Sequence, residues 1–220
     1  MIKGLILESI EGFLRNFNGR IGIKLRYWYY KKRLGSCGKG VRIDIGVELQ
    51  SPKDIHISDN VWIDKYVLIL AGKPNLKRQV LIKKNESYKF NIGEIHIGKG
   101  THIAPFVVLQ AHGGISIGKN VGVASGSKIY SLSHHYRNLL DRSDKRKYFF
   151  TPMVKDSEQS LIASPITIGE GCAVSLNSIV LPGTVIPDGV WIGTSVTAQG
   201  KKYNNDTVYF QEQMIHEKKI

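Results

Sequence analysis

The segment Ile129-Tyr-Ser-Leu-Ser-His-His-Tyr136 holds the side chains best suited to acid–base chemistry in this chain of 220 residues. His134 lies five residues after the aliphatic Ile129, and His135 and Tyr136 follow it directly. Histidine titrates close to neutral pH, so it can take a proton from a hydroxyl without extensive tuning. His134 is therefore the candidate general base. His135 is its rival, because a slip of one residue exchanges the two, and a solvated loop histidine is the plainer alternative for both.

A second candidate, His112, stands in the segment Gln110-Ala-His-Gly-Gly114. It could orient an acceptor or hydrogen-bond the base, and a polar turn residue is the equally simple interpretation. The other histidines are dispersed, and we interpret them as surface residues: His56, His96, His102 and His216. Catalytic zinc needs three convergent protein ligands and an open position, so this dispersion predicts that no metal is required.

A repeat of six residues surrounds these histidines and indicates the fold. From residue 168 onward an aliphatic residue recurs every six positions, at Ile168, Val174, Val180, Ile186 and Ile192. A small or β-branched residue lies four positions after each of them. The same spacing recurs between Ile43 and Ile129. This period fits neither an amphipathic helix nor an ordinary alternating strand. It predicts an all-β solenoid of very short strands, in which three hexads form one triangular coil.

The interruptions of the repeat follow complete coils. Long gaps separate Ile69 from Ile97 and Ile129 from Ile168, which defines insertions at 70–94 and 131–163. Because each interruption follows a whole coil, we expect all of them to leave the prism at one corner, where function should lie. Both insertions are rich in Lys and Arg, and the second could face a phosphorylated or acidic acceptor.

The stretch from Ser164 to Gly193 resembles the hexapeptide-repeat acyltransferases, which are built on a left-handed parallel β-helix. It looks most like the branch that acetylates sugars, including maltose O-acetyltransferase and the O-antigen or capsule acetyltransferases. The resemblance covers roughly residues 40 to 200. It implies acetyl-CoA as the donor, a homotrimer, and active sites between neighbouring subunits.

The resemblance also implies roles for particular residues. The segment around Ile129 is similar to the family's Ile-Tyr-x-x-x-His, which puts the catalytic base on His134. Their place at the same corner, and not the resemblance, makes His112, His135 and Tyr136 the acceptor-binding candidates. Donor contacts fall on Leu176, Thr194, Gln199 and Lys201, with Lys201 at the phosphate end and a solvated charge as its alternative. Ala104-Pro105 stands where members commonly carry an acceptor-binding Asn, so the nature of the acceptor stays open.

Composition and charge limit the partners. A net charge of +13 predicts an anionic partner, and no nucleic-acid-binding motif accompanies it, so nucleic acid is not expected. Two cysteines, Cys37 and Cys172, cannot form a disulfide framework or a cysteine zinc ribbon. No apolar run is long enough to span a bilayer and no secretory signal is evident, so a cytoplasmic location is expected.

The first forty residues differ in character from the repeat. An amphipathic stripe over Met1–Phe17 predicts a helix, and aromatic and basic residues follow as far as Arg33. This segment could cap the first coil, and peripheral contact with the inner face of an anionic membrane is a compatible second role. The predicted organisation is a capping segment over 1–40, a β-helix over 41–200 and a tail or short helix over 201–220.

The sequence as a whole predicts an acetyl-CoA-dependent O-acetyltransferase that acts on a sugar hydroxyl in surface polysaccharide biosynthesis. Two alternatives remain open at this point. One is N-acetylation of a nucleotide-linked amino sugar, and the other is a non-catalytic trimeric scaffold that binds an anionic glycan. His134 at the corner with the long basic insertions favours an enzyme, because a scaffold needs neither feature.

Overall fold

The computed structural model describes residues 2–200, 203–210 and 213–217, and the side chains of residues 7–200 and 203–210. The described chain begins with the helices α1 (Ile2–Asn16) and α2 (Gly19–Lys31). Short 3-10 helices lie at Pro52–Asp54 and Asp156–Glu158. The remaining regular elements in these ranges are strands, so the predicted all-β class holds beyond the N-terminal helices.

The strands are two to five residues long. In chain order they are β1 (Ser36–Cys37), β2 (Arg42–Ile43), β3 (Glu48–Gln50), β4 (Ile55–Ile57), β5 (Trp62–Ile63), β6 (Leu68–Leu70), β7 (Gln79–Ile82), β8 (Ile95–Ile97), β9 (His102–Ile103), β10 (Val108–Gln110), β11 (Ile115–Ile117), β12 (Gly122–Val123), β13 (Lys128–Tyr130), β14 (Leu132–His134), β15 (Ser160–Ala163), β16 (Ile166–Ile168), β17 (Ala173–Val174), β18 (Ile179–Val180), β19 (Val185–Ile186), β20 (Trp191–Ile192), β21 (Thr197–Ala198), β22 (Thr207–Phe210) and β23 (Gln213–Glu217).

Three sheets form the faces of a prism. Sheet A has the order β1-β4-β8-β11-β16-β19, sheet B begins β2-β5-β9-β12-β17-β20-β22, and sheet C has the order β21-β18-β13-β10-β6-β3. Consecutive strands pass from sheet A to sheet B to sheet C, and strands stacked in one face are parallel. The predicted solenoid with three strands per coil is confirmed.

The core is a stack of aliphatic rungs from the inward positions of the strands, one from each two-residue strand of sheet B and two from the three-residue strands of sheet A, such as Ile55 and Ile57. Ile43, Ile63 and Ile103 form such a stack behind sheet B and are completely buried. Successive residues in a strand point to opposite faces, so a strand of two residues has one inward position and a strand of three residues can have two. Each such burial stabilises the fold by about 1.5–3 kcal/mol, which explains why the repeat survives with few other constraints.

The helix α2 covers the first coil through a buried arginine. The Nε of Arg26 donates to the carbonyl of Ile43 at 2.8 Å, and its Nη1 donates to the carbonyls of Leu14 and Phe17 at 2.7 Å. Burial lowers the pKa of Arg26 and the nearby Asp44 opposes that effect. The guanidinium therefore satisfies carbonyls at the end of α1 and holds both helices against the solenoid.

The outer sides of the two helices expose a row of large apolar side chains, namely Leu7, Ile10, Phe13, Phe17, Ile21, Leu25 and Trp28. Exposed basic residues accompany them along α2 and its C-terminal end, including Arg20, Lys24, Lys31 and Lys32. Within the described ranges, no helix has both the length and the hydropathy needed to cross a membrane.

The C-terminal segment differs from the prediction. β22 extends sheet B below β20, and β23 pairs with β22 in the antiparallel sense. The physical reason is the alternating Thr-Val-Tyr-Phe sequence, whose inward Thr207 and Tyr209 are buried and continue the coil. The predicted short C-terminal helix is therefore wrong for residues 207–210 and 213–217.

The two long insertions join in a separate small sheet. β14 and β15 of the second insertion pair antiparallel, and β7 of the first insertion pairs parallel to β15. Val80, Leu161 and Ala163 form a buried cluster there, with Leu132 packed against it. Each interruption of the repeat lies between a strand of sheet C and the next strand of sheet A, which is the single corner expected from the spacing.

Candidate functional site

His134 ends β14 and is held in the small sheet by its pairing with Leu161. Its imidazole packs near the ring of Phe150, with 4.6 Å between the ring centroids. Its Nε2 and the Oε1 of the neighbouring Gln159 are both buried, and neither makes a hydrogen bond of good geometry among the described residues. Buried polar atoms are almost always paired in native proteins, so an unpaired ring nitrogen is unusual and singles out His134 at this corner.

The surroundings of His134 favour its neutral form. Burial is the main cause that lowers the pKa of His134, the positive charge of Arg78 lowers it further, and the side chain of Gln159 acts in the opposite direction. Arg78 is fixed by an ion pair with Asp156, at 2.9 Å between Nε and Oδ1. A histidine that stays neutral at neutral pH has a lone pair available to accept a proton, as a general base requires.

His112 and His134 line one cavity of about 320 Å³ at the corner between sheets C and A. The Nδ1 of His112 lies 2.8 Å from the carbonyl oxygen of Gly72. A carbonyl only accepts, so Nδ1 carries the proton, and the Nε2 of a neutral His112 must be the acceptor. Lys73 and Arg78 supply positive charge to the same cavity, and the buried Oε1 of Gln110 has no partner among the described residues.

His135 and Tyr136 lie in an adjoining cavity of about 270 Å³, together with His134 and Phe150. The backbone N–H of Arg137 lies 3.1 Å from the Nδ1 of His135, so that nitrogen is engaged by the loop's own backbone. The rings of His135 and Tyr136 stack with centroids 4.7 Å apart. Both residues are thus near His134, but His135 is held through Nδ1 by its own loop, whereas the ring of His134 packs beside Phe150.

A basic cavity of about 490 Å³ lies beside Tyr136 in the second insertion. Its lining includes Arg137, Arg142, Lys145, Arg146 and Lys147. Asp144 accepts hydrogen bonds from Arg146 and from the hydroxyl of Tyr148, and these contacts fix the loop. The remaining cations make this cavity suited to an anionic group.

Leu176 and Thr194 line a groove of about 490 Å³ at a different corner, between sheets B and C. The outward side chains of sheet B explain the groove. Its rungs are Arg42, Trp62, His102, Gly122, Ala173 and Trp191, so two small residues interrupt a row of large ones. Gly122 and Ala173 are part of the groove lining, and a Cβ added to Gly122 would meet no atom within 4 Å.

The remaining donor candidates are not brought to this groove. Gln199 follows β21 and lies at the corner between sheets C and A, whereas Leu176 lies at the corner between sheets B and C. The two predicted contacts are therefore separated within one chain. Lys201 lies outside the described residues. The structure therefore brings together Leu176 with Thr194, and His134 with His112, His135 and Tyr136, but at two separate corners.

The interpretation of every remaining histidine as a dispersed surface residue missed one cluster. His56 and His96 are register partners on β4 and β8, and Glu94 precedes β8. The signal was present in the sequence, because Ile-His-Ile occurs at 55–57 and again at 95–97 in the same position of the repeat. His102 instead pairs with Asp64 at 3.3 Å on sheet B.

Two proteins of known class are similar to this chain in sequence, although no family model matches it. The dTDP-4-amino-4,6-dideoxy-D-glucose acyltransferase of Escherichia coli is 24% identical over 158 residues, which covers 72% of this chain and 68% of that protein. WbbJ of Escherichia coli K12, a putative lipopolysaccharide biosynthesis O-acetyl transferase, is 24% identical over 139 residues, or 56% of this chain and 68% of that protein.

Solved structures of acyltransferases share the fold. AntD, an N-acyltransferase from Bacillus cereus in complex with dTDP and 3-hydroxybutyryl-CoA, superposes with a TM-score of 0.67 at 19% identity and covers 88% of each chain. A hexapeptide-repeat-containing acetyltransferase from Vibrio cholerae, in complex with acetyl coenzyme A, gives a TM-score of 0.50 at 16% identity, covering 92% of this chain and 81% of that one. These findings confirm the resemblance to hexapeptide-repeat acyltransferases and the left-handed parallel β-helix.

Proposed function

We propose that the protein transfers an acetyl group from acetyl-CoA to a sugar hydroxyl, with His134 as the general base, in the biosynthesis of a surface polysaccharide. The observation that carries the proposal is the cavity that His134 shares with His112, at the corner of the two insertions and in surroundings that lower the pKa of His134. Relatives of this fold that bind CoA thioesters support the donor.

The reaction requires one proton acceptor and no metal. His134 takes the proton from the acceptor hydroxyl while its oxygen attacks the thioester carbonyl, and backbone N–H groups stabilise the resulting oxyanion. The tetrahedral intermediate then expels the CoA thiolate, which receives the proton from His134. His112, with its Nε2 free of the proton, accepts a hydrogen bond from the sugar and orients it, and His135 and Tyr136 border the acceptor.

The donor occupies the groove of Leu176 and Thr194, and the site is completed by a second subunit. Within one chain the groove and His134 lie at opposite ends of the strands of sheet C. A base from one subunit must therefore face the groove of its neighbour. A homotrimer provides three such sites. Gln199 and Lys201 remain proposed donor contacts, with Lys201 at the phosphate end.

An exposed aromatic pair supports contact with another subunit at the groove. Tyr66 and Phe106 stack with centroids 5.4 Å apart at the corner that carries the groove, and both are more than half exposed. Both have positive φ, at 58° and 62°, which is a costly conformation for bulky side chains. A neighbouring copy packed over these rings gives them a function that an isolated chain lacks.

The acceptor carries a phosphate or other anionic group. Lys73 and Arg78 at the catalytic cavity, together with the basic cavity of the second insertion, support this choice. The same observation favours a second candidate, acylation of the amine of a nucleotide-linked sugar. Two of the similar proteins are named as acyltransferases of that type or bind dTDP, whereas WbbJ is named as an O-acetyl transferase.

We propose that the N-terminal helices contact an anionic membrane surface on the cytoplasmic side. The exposed apolar row of α1 and α2, with basic residues beside it, fits an interface with anionic lipid. Sedimentation with vesicles of phosphatidylglycerol and phosphatidylcholine tests this, with Trp28→Ser as the variant. Equal binding to neutral vesicles, or unchanged binding of the variant, contradicts the contact.

The catalytic proposal is tested by thiol release from acetyl-CoA across a panel of sugars, sugar phosphates and nucleotide sugars with free hydroxyls or amines. Release that depends on the acceptor and is lost in His134→Ala supports the proposal and identifies the acceptor. Thiol release that persists in His134→Ala but is lost in His135→Ala would identify His135 as the general base. If no acceptor gives release and acetyl-CoA does not bind, the non-catalytic scaffold replaces the enzyme.

A further inference from the structure

Three potential metal ligands converge on the outer face of sheet A. His56 and His96 lie on adjacent coils with their rings stacked, 4.3 Å apart and 3° from parallel. The Nε2 of His96 lies 2.9 Å from Oε2 of Glu94. One ligand atom from each of the three residues lies within 4.8 Å of the other two.

Neighbouring side chains hold these ligands in place. Asn91 donates through Nδ2 to Oε1 of Glu94 at 2.6 Å and through its backbone N–H to Oε2 at 3.3 Å, and Oε2 also faces His96. Phe90 stacks on the other side of the His96 ring at 3.5 Å between centroids. Ser36 Oγ lies 3.3 Å from Nδ1 of His56. Outer contacts of this kind orient the ligands in established metal sites.

We propose that His56, Glu94 and His96 bind a divalent transition-metal ion of the Zn²⁺ class. Two imidazoles and one carboxylate form a ligand set that zinc uses, whereas Mg²⁺ and Ca²⁺ prefer oxygen ligands alone. Side-chain rotation must shorten the separations, because zinc binds nitrogen and oxygen at about 2.0–2.2 Å. All three side chains are only partly buried, so they can rotate toward one ion, and Phe90, Asn91 and Ser36 must shift with them.

The ion has a structural role in this arrangement. Glu94 ends the first insertion, and the adjacent Gly93 accepts a hydrogen bond from the N–H of Gly72 at 2.8 Å. The carbonyl of Gly72 in turn accepts the Nδ1 proton of His112. A metal that joins Glu94 to β4 and β8 therefore anchors the two ends of the first insertion, and Gly72 at one of these ends holds His112. The metal itself lies outside the cavity of His134.

The test uses the full-length protein after removal of metal with EDTA. Zn²⁺ is titrated by calorimetry, Co²⁺ binding is followed by visible absorption, and thermal unfolding is measured with and without Zn²⁺. The variants are His56→Gln and His96→Gln. The matched control is His102→Gln. His102 also stacks on an aromatic ring, that of Trp62, and contacts a carboxylate, that of Asp64, but no second histidine among the described residues lies beside it to complete a metal site.

We expect one Zn²⁺ per chain in the wild type and in His102→Gln, with at least tenfold weaker binding in the two site variants. Zn²⁺ should raise Tm in the wild type and the control only. Absence of binding in the wild type, or equal affinity in folded His56→Gln and His96→Gln, overturns the proposal. Circular dichroism of each variant verifies folding. No acyltransferase assay enters this test, so its failure and that of the proposed function are distinguishable.

Discussion

Two corners of the same prism differ in how they are built. The corner between sheets C and A carries both long insertions, and their strands β7, β14 and β15 form a sheet that positions His134. The corner between sheets B and C has short turns, and its groove exists because Gly122 and Ala173 lack large side chains. The first corner thus depends on residues inserted between the coils, and the second depends on small residues within the repeat.

The difference shows how a regular solenoid acquires a reactive site. A groove needs only small residues at consecutive rungs, so it can form without any departure from the repeat. The low pKa of His134 needs burial and a charged neighbour. The two insertions supply both, through Phe150 beside the imidazole and Arg78 near it.

The largest expected effect is at the corner with the insertions. His134→Ala removes the general base, so kcat should fall by about 10² to 10⁴ with little change in the KM for acetyl-CoA. Steady-state thiol release measures both constants. His135→Ala is the control, and a comparable loss of kcat in that variant would mean that the two histidines are wrongly assigned.

The second effect separates the groove from the base. Gly122→Trp fills the groove without a clash at Cβ, so the KM for acetyl-CoA should rise about tenfold or more while the pH profile stays unchanged. Gly122→Ala adds one methyl group in the same open space and should have little effect. Unchanged acetyl-CoA affinity in Gly122→Trp, measured by calorimetry, would show that the donor binds elsewhere.

A third prediction tests whether the small sheet serves only His134. Leu161 is 1% exposed in the cluster beneath this sheet, and Leu161→Ala should destabilise the insertions by about 2–5 kcal/mol. Hydrogen exchange should then speed up in β7, β14 and β15, and kcat should fall several-fold by loss of base positioning. Affinity for acetyl-CoA should not change, and a parallel loss there would contradict the separation of the two corners.

The smallest effect concerns pH. The acid limb of the profile of kcat against pH follows protonation of His134, which inactivates a base. Arg78→Met removes a charge that lowers the pKa of His134, so the pKa should rise and the acid limb should move to higher pH. Asp156→Asn breaks the ion pair of Arg78 with Asp156 but keeps the charge of Arg78, so the acid limb of the profile of kcat against pH should not move to higher pH in this variant. An upward shift in both variants would point to loop disorder instead.

Local spacing predicted the coils but not the contacts between insertions. The aliphatic period from Ile43 to Ile192 predicts the sheets because residues six positions apart occupy consecutive faces of one coil, and whole coils then stack on one another. The pairing of β7 with β15 joins residues about eighty positions apart, and no periodicity encodes it. His134 was found from its motif, whereas the cluster of His56 and His96 required the register that links one coil to another.

The central claim is that the base and the donor groove of one active site belong to different subunits. The most direct measurement is acetyl transfer by mixed oligomers of His134→Ala and Gly122→Trp, co-expressed with two affinity tags and purified through both. Each variant alone lacks one half of every site. The account predicts that mixed oligomers regain activity, because the intact groove of one subunit meets the intact base of another. Mixed oligomers as inactive as their parents, or a protein that is active as a monomer, would contradict it.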